Sequence, residues 1–183
     1  MKIDTLKQEI NLRYHIEIKR RTIYVNGCAT KDLGGESGGY RLIGETPDGK
    51  IVKADFTKQD GDYTNQTWAE IEMWNRIKKY DKRYFPTIIA SGTFSYNKTF
   101  FSWLLQEKVE FGDVKTTKRQ ADIVRRLRQA YKIWDISTPR VGKRCSSYAN
   151  WNITPNGKPV IYDFGFNRFG NSGILPATYK LAC

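Results

Sequence analysis

The sequence predicts an α+β domain in which short strands outnumber helices. Three observations carry this. Apolar runs of strand length, bounded by turn residues, recur between residues 14 and 106. Two stretches, 67–79 and 117–133, instead repeat apolar residues at helical spacing. A last pair of strand signals encloses Pro155-Asn156-Gly157 near the C-terminus.

From the N-terminus, Ile3, Leu6, Ile10 and Leu12 suit a short helix, and Tyr14-His15-Ile16-Glu17-Ile18 alternates like a strand. Thr22-Ile23-Tyr24-Val25 is a second strand, followed by Asn26-Gly27, the strongest short hairpin cue. Two readings of that dipeptide stand: a hairpin returning through Cys28-Ala29-Thr30, or a simple turn toward the glycines beyond. Residues 1–30 therefore form an N-terminal extension that either adds to the following sheet or docks a partner. The cluster Leu33-Gly34-Gly35-Glu36-Ser37-Gly38-Gly39 permits a tight turn and close backbone approach. Tyr40-Arg41-Leu42-Ile43 and Lys50-Ile51-Val52-Lys53-Ala54-Asp55-Phe56 read as strands joined by Thr46-Pro47-Asp48-Gly49.

In the first helix Trp68, Ile71, Trp74 and Ile77 form the apolar face. Thr67-Trp68-Ala69-Glu70 also reads as a capping box, in which Glu70 would bond back to Thr67. Residues 85–92 and 99–106 read as two further strands. The second helix buries a stripe of Ile123, Val124, Leu127, Ala130, Tyr131 and Trp134, and shows Lys118, Arg119, Arg125, Arg126 and Arg128 outward. Trp151 and Ile153 then share one face of a strand opened by Asn150, and a partner strand over 160–162 leads straight into Asp163-Phe164-Gly165. That hairpin sets an amide oxygen and a carboxylate at its two ends, hard oxygen donors of the kind that Mg²⁺ takes together with phosphate oxygens.

Composition narrows the field. The chain has 183 residues, enough for one core and at most two closely packed lobes. Its mean hydropathy is −0.62, and no run of about 18 apolar residues suggests a membrane span. The opening Met1-Lys2-Ile3-Asp4-Thr5-Leu6 has no signal-peptide core. Cys28, Cys145 and Cys183 lack metal-ligand spacing and fit free thiols in a reducing cytoplasm, a host cell's if this is a phage or effector protein. His15 is the lone histidine, which excludes a histidine-rich metal site. The net charge of +12 points to an acidic protein partner or substrate first, and to nucleic acid second. The aromatic share of 14% offers stacking, but Trp68, Trp74, Trp103 and Trp134 sit at core-like spacing.

Glycine cluster, lysine strand, glutamate helix, strand pair, helix, Asn hairpin and Asp-Phe-Gly, in this order, resemble the protein-kinase family over residues 33–169. The resemblance implies a minimal kinase-like fold: a five-stranded N-lobe sheet with one helix over 31–110, and a truncated helical C-lobe over 111–183. It implies ATP and Mg²⁺ as cofactors. Gly34, Gly38 and Gly39 would cradle phosphates. Lys53 would pair with phosphate and with a helix carboxylate, Glu70 ahead of Glu72. Residues 102–109, with Glu107 at the hinge, would meet adenine through backbone groups. Asn150 and Asp163 would hold the metal.

Two departures bear on activity. Glu36 stands at the family's middle glycine. Counted without gaps from Asn150, the H-R-D-x-x-x-x-N pattern becomes Lys143-Arg144-Cys145-Ser146-Ser147-Tyr148-Ala149-Asn150, which keeps Arg144 but puts Cys145 at the base position. Asp135 is the substitute base if the intervening loop folds back on Asn150; otherwise it is a helix-end aspartate in a turn. Only eighteen residues follow Gly165, with no A-P-E motif. This is similar to minimal kinase-like effectors of bacteria and kinase-like phage proteins. The expectation is a weak or atypical protein kinase. A pseudokinase that binds an acidic protein, and a basic nucleic-acid-binding protein, are the alternatives.

Overall fold

The computed structural model describes residues 13–33, 41–55, 66–96, 99–146, 149–165 and 167. The glycine cluster with Gly34, Gly38 and Gly39, the proposed helix before residue 13 and nearly all of the tail lie outside them. The described residues form an α+β structure with antiparallel sheets and two α-helices. No described helix is long and apolar enough to cross a membrane.

A first sheet joins β1 (Ile16–Lys19), β2 (Thr22–Val25) and β3 (Cys28–Ala29) in that order. Asn26-Gly27 makes the hairpin of the first alternative: Asn26 and Gly27 take φ of 51° and 80°, and Val25 pairs with Cys28. Such left-handed angles favour Gly and tolerate Asn. Ile16, Ile23 and Val25 pack in one buried cluster with Leu42, Val52, Ala54, Trp103 and Leu105. Ile16, Ile23 and Val25 therefore share a core with the strands that follow. The contact is close. A Cβ on Gly44 would fall 2.7 Å from Thr30 Cβ.

The main sheet has five strands, ordered β4 (Lys31–Asp32), β5 (Arg41–Glu45), β6 (Lys50–Asp55), β8 (Thr99–Glu107) and β7 (Ile88–Tyr96). Its β5–β6 turn is the predicted one. Gly49 takes φ 76°, and Thr46 Oγ1 accepts from Lys50 N at 2.9 Å. The middles of β6 and β8 are closed to solvent, with Val52, Ala54 and Leu104 all at 0% exposure.

Helix α1 (Gln66–Arg76) departs from expectation in length and in face. It buries Thr67, Ala69, Glu70 and Met73, while Trp68, Ile71 and Trp74 are half-buried. The helix is rotated so that a charged residue points inward, which hydropathy alone opposes. Its buried partners explain why this is tolerated. Nor is Thr67 the cap: the Asp55 carboxylate accepts from Thr67 N at 2.9 Å and Trp68 N at 3.3 Å.

Helix α2 (Lys118–Tyr131) starts from a capping box, Thr117 with Gln120, and ends on Lys132 in the left-handed conformation. Its buried stripe is Gln120, Ala121, Val124, Leu127 and Tyr131. Ala130 and Trp134 fall outside that stripe, and Trp134 is 46% exposed because the helix stops short of it. The last hairpin pairs β9 (Trp151–Ile153) with β10 (Pro159–Ile161), one residue earlier than expected on the second strand. A second buried cluster unites Met73 of α1 and Ile77 just after it, Val124 and Leu127 of α2, Trp151, Ile153 and Ile161 of the hairpin, and Phe164. Phe164 is fully buried, its ring edge-on to Phe85 at 5.1 Å. One cluster lies under the sheets and the other under the helices, and polar residues meet at their junction.

Candidate functional site

Antiparallel pairing sets Lys53 opposite Ile43 on one side and Leu104 on the other, in the middle of the main sheet. From there its Nζ donates to both oxygens of Glu70, at 3.0 and 2.9 Å, and to the Tyr162 carbonyl at 2.8 Å. The Lys–Glu pairing expected from the sequence is thus present, and the partner is Glu70. Glu72 instead faces Arg76 at 3.4 Å on the surface. Glu70 Oε1 also accepts from Phe164 N at 3.1 Å and from Arg41 at 3.1 Å. Arg41 continues to Asp163, 2.6 Å away. Two cations and two carboxylates therefore balance in the interior, the arrangement that buried charges require.

Burial pushes the Asp163 carboxyl up, but Arg41 and Lys53 outweigh it and hold it well below the usual carboxylate range. Burial pushes the Lys53 ammonium down, against the pull of Glu70. Arg41 is raised despite its burial, chiefly by Asp163 and Glu70. The Asp163 side chain keeps 28% exposure against 0% for Glu70, so Asp163 is the carboxylate that an incoming group can reach.

The hairpin brings Asn150 beside it. The Asn150 carbonyl accepts from Tyr162 N at 3.1 Å and Asp163 N at 3.3 Å, and the residue takes φ 58°. Its Nδ2 donates to the Asp135 carbonyl at 2.7 Å. The loop after α2 does fold back, held also by Ser137 N on Ala149 O at 3.2 Å and Trp151 Nε1 on Ser137 O at 3.1 Å. Asp135 sits close enough to Asp163 to feel its charge. Burial, then that charge, raises the Asp135 carboxyl above its ordinary value, with Asn150 and Arg41 opposing.

Other expected residues are placed elsewhere. Arg144 is exposed and ion-paired with Asp113 at 2.7 Å. Cys145 is half-buried against the helical cluster, its sulfur 4.0 Å from Thr116 Oγ1, and burial raises its thiol. Asp135, fifteen positions ahead of Asn150, accepts from Asn150 Nδ2 through its main-chain carbonyl. Glu107 ends β8 with an exposed side chain and donates its N–H to the Thr87 carbonyl at 3.0 Å.

Sequence reasoning missed Arg41, Asp55 and Asn167. Asn167 is fully buried and donates to Ala69 O at 3.1 Å and Phe164 O at 2.6 Å, tying the segment after Asp163 to α1. All three work across long sequence separations, and no local pattern marks them. Gly165 does carry a signal in retrospect, because a Cβ there would come within 2.8 Å of Gln66 Cβ and 3.0 Å of Gln66 O.

The donors present suit a hard cation. Asp163 offers an accessible carboxylate, and Asn150 an amide oxygen whose nitrogen is already engaged. Among the described residues no group of three or more His, Cys, Asp or Glu is arranged to hold a metal alone, so phosphate oxygens would have to complete such a shell. Family models and curated proteins provide no match to this chain.

Proposed function

We propose that the chain is a kinase-like phosphoryl transferase. It binds Mg²⁺–ATP at the junction of the two clusters and moves the terminal phosphoryl group to a protein hydroxyl. The supporting observation is the buried Lys53–Glu70 pair, linked through Arg41 and the Phe164 amide to Asp163, with Asn150 and Asp135 beside it. In this reading the main sheet and α1 form a kinase-like N-lobe, and α2 with the last hairpin forms a truncated C-lobe.

Mg²⁺, when bound, would neutralise charge on the phosphate oxygens and be held by Asp163 and Asn150. Lys53, oriented by Glu70, would set the phosphates. Asp135 would accept the proton from the attacking hydroxyl as the oxygen–phosphorus bond forms and the bond to the ADP oxygen breaks. General-base groups contribute about 10²–10⁴-fold, while phosphoryl transfer rests mainly on positioning and charge, so slow turnover suits this site.

A second reading has its own observation. Arg41 lies against Asp163 and gives that carboxylate a cation already. A pseudokinase that binds an acidic protein without transfer would keep such a pair. Melting temperature and labelled-phosphate incorporation separate the two. Millimolar Mg²⁺–ATP should raise the melting temperature of wild type, and Asp163→Ala should abolish the Mg²⁺-dependent part. Asp135→Asn should keep the shift and lose about 10²–10⁴-fold in incorporation. A shift without incorporation by wild type moves the reading to a nucleotide-binding pseudokinase; no shift at all sinks nucleotide binding and favours a pure interaction role.

A further inference from the structure

Beside the candidate site, but not part of it, the loop after Asp135 walls a cavity of about 550 Å³. Its charged lining is wholly basic: Arg140, Lys143 and Arg144. Hydroxyls of Thr116, Ser137, Thr138 and Ser146 stand between them. Arg144 is balanced by Asp113, while Arg140 and Lys143 have no carboxylate partner among the described residues. The loop is pinned on both flanks. Gly142 N donates to Thr116 O and Thr116 N to Lys143 O, each at 2.8 Å. Arg125 of α2 donates to the Pro139 carbonyl at 3.2 Å. A hydroxyl-lined hollow that gathers cations on a fixed backbone is built for an anionic group.

Its position says where that group comes from. Ser137 lines the cavity and lies two residues from Asp135. An extended polypeptide rises about 3.3 Å per residue. A chain presenting its hydroxyl to Asp135 would therefore place a side chain some two to four residues away into the cavity. We propose that this cavity holds a carboxylate or phosphoryl side chain of the polypeptide substrate, making the enzyme selective for hydroxyls flanked by acidic residues. The inference rests on the phosphoryl-transferase reading for the role of Asp135, but binding to the cavity does not depend on turnover.

The test uses the full chain without nucleotide. The probes are a serine peptide with aspartates two to four residues from the serine, its phosphoserine-flanked counterpart, its asparagine counterpart and a single-stranded RNA. Anisotropy reads affinity, and site-resolved alkylation of Cys145, a residue of the same cavity lining, reads location. Either acidic peptide should bind wild type and slow Cys145 alkylation severalfold, and the tighter of the two names the anion. Arg140→Ser/Lys143→Ser should weaken binding tenfold or more and remove the protection. Lys19→Ser/Arg21→Ser, with the same charge loss on the first sheet, should do neither.

Equal weakening by both double variants, equal binding of the asparagine peptide, or RNA that protects Cys145 better than the peptides would overturn the proposal. Protection and binding that persist in Asp163→Ala while wild type incorporates no phosphate would retire only the transferase reading. Incorporation that is indifferent to flanking acids would retire only this one.

Discussion

Glu70 gathers the site through three donors: the Lys53 ammonium, the Arg41 guanidinium and the Phe164 amide. Each would be left buried and short of an acceptor without it. Removing one partner of a buried charge set costs about 3–5 kcal/mol, and Glu70→Ala should lose stability on that scale in urea unfolding. Glu70→Gln keeps an acceptor and should lose less. A loss near zero for Glu70→Ala would mean that the two cations find other partners. Asp163 makes the pH dependence predictable in sign. Its folded carboxyl is held below the ordinary value by Arg41 and Lys53. The stability it contributes is therefore complete above the unfolded value of about 3.9 and is lost as pH falls through the lower folded one. Asp163→Asn should flatten the acid limb of the stability curve below about pH 4 relative to wild type.

Among the elements, α1 has its rotation set by what it faces. Its Ala69-Glu70-Met73 side is turned to Lys53, Arg41 and Phe164, and its two tryptophans take a partly open position. Asp55 at the end of β6 caps its first amides, so the strand that carries Lys53 also holds the start of the helix that carries Glu70. The chain after Asp163 closes the arrangement from below, where Gly165 passes against Gln66. Gly165→Ala forces a Cβ into that contact. Overpacking of this kind costs typically about 1–3 kcal/mol. The variant should melt lower and, because Phe164 N is displaced from Glu70, lose nucleotide response out of proportion to its stability. Unchanged melting and unchanged nucleotide response together would show that the segment relaxes freely.

Across the whole molecule, two apolar clusters meet at a charged junction, and the first includes the N-terminal sheet. Ile23 is 2% exposed in that cluster. Truncating a buried isoleucine costs about 2–5 kcal/mol, so Ile23→Ala should lower global stability by that amount. If residues 16–29 were a detachable extension, the same variant would leave the main denaturation transition unmoved. The net charge of +12 adds a long-range attraction for acidic partners that weakens as salt rises.

Much of this was open to reading before any coordinates. Turn chemistry marked the hairpins at Thr46-Pro47-Asp48-Gly49 and Pro155-Asn156-Gly157 and left Asn26-Gly27 open between a hairpin and a simple turn, because left-handed backbone angles admit few residues. The start of α2 near residue 117 and the Val124, Leu127 and Tyr131 part of its stripe followed from period, whereas the Thr117–Gln120 capping box was not foreseen. Motif order placed Lys53, Glu70, Asn150 and Asp163 as a candidate group, with Asp135 held as an alternative.

Tertiary structure alone decided the rest. Arg41 joins Glu70 across 29 positions, and Asn167 reaches Ala69 across 98, and nothing local announces such pairings. The α1 face was misread because periodicity ranks residues by hydropathy, whereas a glutamate with three donors is stable inside. The contact between Asp135 and Asn150 escaped residue counting for a related reason. Counting residues assumes a loop of fixed length, but position in space follows the path of the chain, and here Asn150 returns to the Asp135 carbonyl across fifteen positions.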